Sequence, residues 1–225
     1  MMKRTKLADR SLPVYSIGEE IVNTATHLIG GLLGVIALVL CVRRASELGG
    51  APEITGAAVY GSCLVLLYAT SSIYHGLRPS TGKKVLQILD HCTIYLLIAG
   101  SYSAIALGTL FDHFPILAMA VLASQWGLAA LAITLTAIDL EKYNVFSMVC
   151  YIGMGWMALL FVPQLTAALT ATGFYWLLAG GIAYTVGAVL YGLGSKKKWL
   201  HSVFHIFVVL GSFLQFIAIY FFAII

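Results

Sequence analysis

The chain has 225 residues, of which 60% are hydrophobic and only 10% charged, with a net charge of +4. A soluble domain carries about 25% charged residues, so this composition excludes one and indicates a polytopic membrane protein. The positive surplus calls for no nucleic acid, because it follows the distribution of basic residues between the two sides of a membrane.

Residues 1–18 are polar, carry Lys3, Arg4, Lys6 and Arg10, and read as a cytoplasmic N-terminal segment. The apolar run that follows reaches Val42. It is too long for the core of a signal peptide and has no small-residue cleavage site, so it reads as a retained first span. The remainder, 19–225, reads as one transmembrane domain. Seven apolar segments can be cut from it, roughly 20–42, 55–76, 85–107, 115–138, 145–163, 173–193 and 199–225. Helices are expected, because a barrel would show short alternating strands. The connections carry turn residues, as in Gly49-Gly50-Ala51-Pro52, Arg78-Pro79-Ser80-Thr81-Gly82 and Gly194-Ser195. Cys41, Cys63, Cys92 and Cys150 form no Cys-x-x-Cys pair and read as small buried hydrophobes.

Of the 13 Lys and Arg residues, two (Arg43 and Arg44) fall on one side of such a bundle. The other eleven fall on the side of the N-terminus: Lys3, Arg4, Lys6, Arg10, Arg78, Lys83, Lys84, Lys142, Lys196, Lys197 and Lys198. The expectation is therefore an all-α, seven-transmembrane-helix bundle with its N-terminus cytoplasmic and its C-terminus outside. Trp199, Tyr143, Trp176 and Phe174 near span ends fit an aromatic belt.

The polar groups obey a parity. Span 2 ends with Ser71 and His75, span 3 opens with Asp90 and His91, and span 7 opens with His201 and His205. The end of an outward-to-inward span and the starts of two inward-to-outward spans lie in one leaflet, whichever way up the bundle sits. A rise of ~1.5 Å per residue puts Asp90 and His205 about 8–10 Å inside the interface. Span 1 adds Glu19, Glu20, Asn23 and His27 at the same end, and Glu20, Asn23 and His27 share a face.

An imidazole in the bilayer needs a donor and an acceptor that lipid does not offer. His201 and His205, at i and i+4, are spaced to share one metal, and His75 supplies a third nitrogen from another helix. Three histidines plus water make a catalytic-type zinc shell. Asp90 would hold or deprotonate that water; as a direct ligand it would close the shell into a structural site. Ser71, one turn before His75, either donates to an oxyanion or only bonds the preceding turn. His91 reads as a helix-linking or supporting group. Glu19 reads as a helix start, where an acid suits the dipole, while Glu20, Asn23 and His27 read as supporting residues.

These motifs resemble the hemolysin III family, the bacterial branch of the progestin and adipoQ receptor (PAQR) proteins. They are the run from Glu19 to His27, Ser71-x-x-x-His75, Leu89-Asp90-His91 continuing to Ala99-Gly100-Ser101-Tyr102, and His201-x-x-x-His205. The resemblance implies a seven-helix fold in the bacterial cytoplasmic membrane. It also implies zinc on His75, His201 and His205, with Asp90 reaching the metal through water. Alkaline ceramidases in the wider superfamily suggest a metal-dependent hydrolase of a lipid amide or ester, tied to membrane lipid homeostasis. The expected partners are membrane lipids, including a lipid substrate in the bundle. Short outer connections leave no room to capture a large protein hormone. Two alternatives stand beside this reading: a non-enzymatic sensor of membrane state with structural zinc, and a pore-forming cytolysin. The last fits poorly with spans that lack rings of charge and with a chain too apolar to stay soluble before insertion.

Overall fold

The structure is a computed structural model and describes residues 5–194 and 197–224. Lys3, Arg4, Ser195, Lys196 and Ile225 lie outside the described residues. The architecture is all-helical, with six helical stretches long and apolar enough to cross a membrane.

Helix α1 (Ile17–Leu48) starts where Ser16 and Glu19 form a reciprocal capping box. The Ser16 hydroxyl accepts from the Glu19 backbone N–H, and the Glu19 carboxylate accepts from the Ser16 backbone N–H, so two unpaired donors of the first turn are satisfied. One face of α1 is built of small buried residues, among them Gly30, Gly34, Ala37, Cys41 and Ala45. The opposite face exposes Leu32, Ile36 and Val39. Small residues let helices approach closely in a bilayer, where burying apolar surface gains little; the large apolar ones face lipid.

The Gly49-Gly50 turn leads into α2 (Ala51–Gly76), which packs along α1. A Cβ built on Gly61 of α2 would lie 2.6 Å from the Cα of Leu38, so only glycine allows this approach. Ser80 caps α3 (Thr81–Ile105), which continues through a π turn (Ala106–Leu110) to His113. Helix α3 is the most enclosed element and packs on α2 and on α4 (Pro115–Ile138).

The fifth and sixth expected spans lie in one run of helical turns with no intervening loop, Asn144–Gly194, of 51 residues. It contains α5 (Asn144–Trp156), a 3-10 turn (Met157–Phe161) and α6 (Val162–Gly194). The stretch is not straight. Thr170 has φ 64° and ψ 165°, a left-handed conformation that breaks the helix. The Trp156 indole donates to the Thr185 hydroxyl at 2.9 Å. In a straight helix those residues would be about 43 Å apart. The chain therefore doubles back, and 144–169 lies against 171–194.

Helix α7 (Leu200–Ala218) packs on α6 and on α1, which brings the last helix beside the first. All four cysteines are free; three are buried and Cys150 is half-buried. Residues 5–16 cross one end of the bundle. They are held there by a Thr5 N–H to Asp139 bond of 2.8 Å, by Arg10 on the Ile138 carbonyl and by Lys84 on the Ala8 carbonyl.

Candidate metal centre and its cavity

His75 sits in the last turn of α2, and His201 and His205 occupy successive turns at the start of α7. All three are buried, at 2%, 8% and 1% exposure. One ring nitrogen from each lies within 4.8 Å of the others. His201 Nε2 is 3.4 Å from His75 Nε2 and 3.1 Å from His205 Nε2. Two nitrogens on one tetrahedral zinc, each bonded at about 2.0–2.1 Å, would stand about 3.3 Å apart. The spacing and the nitrogen chemistry both fit a borderline metal ion held by three imidazoles.

Each imidazole is steadied from behind. The other ring nitrogen of His75, Nδ1, lies 2.7 Å from Glu20 Oε2, with Asn23 Nδ2 3.4 Å away. Ser202 donates to Asn23 Oδ1 at 2.7 Å. The His27 ring stacks on His205 with centroids 3.7 Å apart. Tyr15, from the segment across the bundle end, stacks on His201 at 4.8 Å. Burial pushes the Tyr15 phenol above its ordinary value, helped by the neighbouring Tyr191, so it remains a neutral lid over the rings.

The centre opens into a cavity that is partly open to the outside. His201, His205, Ser71 and Asp90 all line it, while most of the wall is apolar. Asp90, on α3, stands beside the Ser71 hydroxyl and falls outside the three-histidine ligand set. The cavity continues past Tyr102 and Trp156 to Gln215, well along α7 from the histidines.

The remaining expected site residues divide. His91 also lines the cavity, but its ring links helices: Nδ1 meets the Gln87 carbonyl at 2.8 Å and Nε2 meets the Tyr191 hydroxyl at 3.0 Å. Glu20, Asn23 and His27 all reach the centre, yet not as one group. Glu20 turns to α2 and α3, Asn23 lies between His75 of α2 and Ser202 of α7, and His27 stacks on His205 of α7. Glu19 does more than start a helix, because its Oε1 accepts the Trp199 N–H at 2.7 Å, just before the first histidine of α7.

Sequence reasoning missed Ser202, Tyr15 and Lys83. Ser202 and Tyr15 carry no pattern of their own. Lys83 does: it is a cation in the first turn of a helix, the end where the dipole disfavours positive charge.

Comparison with known proteins agrees with the motifs. A family profile described as Haemolysin-III related matches residues 15–216. Hemolysin-3 of Bacillus cereus is 38% identical over 206 residues, 92% of each chain. The Hemolysin-3 homolog of Bacillus subtilis (strain 168) is 35% identical over 94% of this chain and 97% of its own. The human monocyte to macrophage differentiation factor is 26% identical over 90% of this chain and 83% of its own. No solved structure matches the chain.

Proposed function

Since the chain belongs to the haemolysin-III-related family, we propose that it is a zinc-dependent hydrolase working inside the membrane on a lipid amide or ester. The observation that carries this reading is the shared cavity. Two of the three convergent imidazoles, His201 and His205, face one mostly apolar space together with the Asp90 carboxylate and the Ser71 hydroxyl, and His75 meets them from the end of α2. Such walls suit the hydrocarbon part of a lipid, and the polar end suits a carbonyl.

His75, His201 and His205 would hold the zinc, which when bound supplies a Lewis acid and an activated water. The protein's own groups do the rest. Asp90 takes a proton from the attacking water and returns it to the leaving nitrogen or oxygen as the carbonyl carbon's bond to that atom breaks. The Ser71 hydroxyl donates to the carbonyl oxygen as negative charge gathers there. Tyr15 and the segment behind it limit the entry of bulk water from the bundle end.

The membrane reading is a seven-crossing bundle in the bacterial cytoplasmic membrane, with the N-terminus inside. The reversal at Thr170 supports the count, because it divides a stretch of 51 residues into two legs of spanning length. The distribution of basic residues supports the orientation.

The test is turnover by the purified protein with one equivalent of zinc, against a panel of lipid amides and esters. Cleavage of one class, lost in Asp90→Ala and in His205→Ala, is expected. Cleavage that persists unchanged in both variants overturns the reading. A second reading, a membrane-state sensor with structural zinc, draws on the ties that join α1, α2 and α7 around the three rings. It predicts that His75→Ala lowers thermal stability while no lipid is turned over.

A further inference from the structure

We propose that Lys83 is a positioning residue of the histidine centre, acting through Glu20 on His75. Lys83 is only 3% exposed. Its Nζ donates to Glu20 Oε1 at 2.5 Å, to the Leu77 carbonyl at 2.9 Å and to the His75 carbonyl at 3.4 Å. It also stands 5.3 Å above the Tyr74 ring. Every one of these partners is negative or electron-rich, and two are carbonyls at the C-terminal end of α2.

Three facts make this more than a surface ion pair. A buried charge is costly unless it is paired and hydrogen-bonded, so the site is built around the ammonium group. Its place in the first turn of α3 opposes the helix dipole and has to be compensated from outside that helix. The C-terminal carbonyls of α2 and the Glu20 carboxylate supply that compensation. Lastly, the two Glu20 oxygens are divided, with Oε1 on Lys83 and Oε2 on His75 Nδ1.

The division fixes the histidine. A carboxylate pinned by Lys83 accepts the proton of His75 Nδ1, which leaves the lone pair on Nε2, the atom that faces His201 Nε2. Carboxylates behind metal-binding histidines set tautomer and ring orientation in this way. Here the carboxylate is itself aimed by a lysine from a third helix. Lys83 thus belongs to the site, whatever it adds to the positive charge of that side of the membrane.

The inference rests on the metal reading above, and the test separates the two. Zinc affinity of the full-length protein in detergent is measured by chelator competition for the unmutated chain, Lys83→Met, Lys83→Arg, Glu20→Gln and the double variant. The tautomer of the His75 ring is read from its nitrogen chemical shifts in metal-free protein. Lys83→Met is expected to weaken zinc binding about 10–100-fold and to reduce the Nδ1–H tautomer. Lys83→Arg is expected to recover most of both. In the Glu20→Gln background, Lys83→Met is expected to add nothing further, because both act through one path. An unchanged His75 ring and affinity in Lys83→Met, or losses that simply add, overturn the proposal. If Lys83→Met does not fold, Lys83→Gln removes the charge while leaving a polar N–H donor on a shorter side chain; the same outcomes decide. Absence of zinc binding by the unmutated chain overturns the metal reading alone, since the ring tautomer still reports the Lys83–Glu20–His75 linkage.

Discussion

Ser202 donates its hydroxyl proton to Asn23 Oδ1 at 2.7 Å, joining two buried side chains 179 residues apart in the sequence. The bond is the middle rung of three between α1 and α7. Below it Glu19 accepts from the Trp199 backbone, and above it His27 stacks on His205. Glu19, Asn23 and His27 are spaced i, i+4, i+8, so one stripe of α1 sets the height at which α7 presents both of its histidines.

Removing the middle rung tests this. Ser202→Ala leaves a buried amide oxygen without its donor, which costs about 1–3 kcal/mol. A fall in melting temperature of a few degrees is expected, with weaker metal binding. A variant as stable as the unmutated protein, with full metal affinity, would show that the register is set elsewhere.

Asp90 separates holding a metal from using it. It lines the same cavity as His201 and His205 and falls outside the three-histidine ligand set. Asp90→Asn is therefore expected to keep its zinc content, measured by elemental analysis. Any lipid turnover should fall about 10²–10⁴-fold, the range for a lost proton-transfer group. Loss of zinc in this variant would make Asp90 a direct ligand.

The reversal at Thr170 predicts a labelling pattern. With seven crossings, single cysteines placed at Lys142 and Lys197 in a cysteine-free background react from one side of the membrane. Cysteines at Gly50 and Thr170 react from the other. A single crossing by 144–194 would instead place positions 142 and 197 on opposite sides, and membrane-impermeant thiol reagents read the difference directly.

Asp139, in the connection after α4, gives a pH dependence. Its carboxyl is held below the ordinary carboxylate value, chiefly by the Thr5 backbone N–H and then by the Lys142 N–H, with the Arg10 guanidinium adding to it and burial opposing. A depressed carboxyl stabilises its arrangement fully above its unfolded value, and that stabilisation is lost as pH falls through the folded one. Residues 5–16 should thus be protected from protease near neutral pH and become cleavable in acid, below the ordinary Asp range. Asp139→Asn should show the acid behaviour at neutral pH. Equal protection of the variant and the unmutated chain would remove Asp139 from the strap.

Much of the site can be read in the linear chain because a bilayer leaves few explanations for an imidazole. His75, Asp90, His201 and His205 stand out against apolar surroundings, and span parity alone gathers them at one end. The fifth and sixth segments are as clear, since nothing apolar for 51 residues can cross a bilayer of about 30 Å as one straight helix. The gap between the 145–163 and 173–193 segments brackets the reversal without placing it: Thr170 is neither glycine nor proline, and its positive φ leaves no local signal in the sequence.

Composition, the length of the apolar runs and parity by themselves determined a helical membrane protein with His75, Asp90, His201 and His205 at one end of the bundle, because hydropathy and hydrogen-bond demand act locally along the chain. Which group faces which was decided only by the tertiary structure. Lys83 reads in the sequence as one more basic residue at a span end, and Glu19 as one more acid at a helix start. Their roles come from partners 63 and 180 residues away, Glu20 and Trp199. The side-chain directions that join them are fixed by how the helices rotate and slide against one another, and no local pattern in the sequence records that.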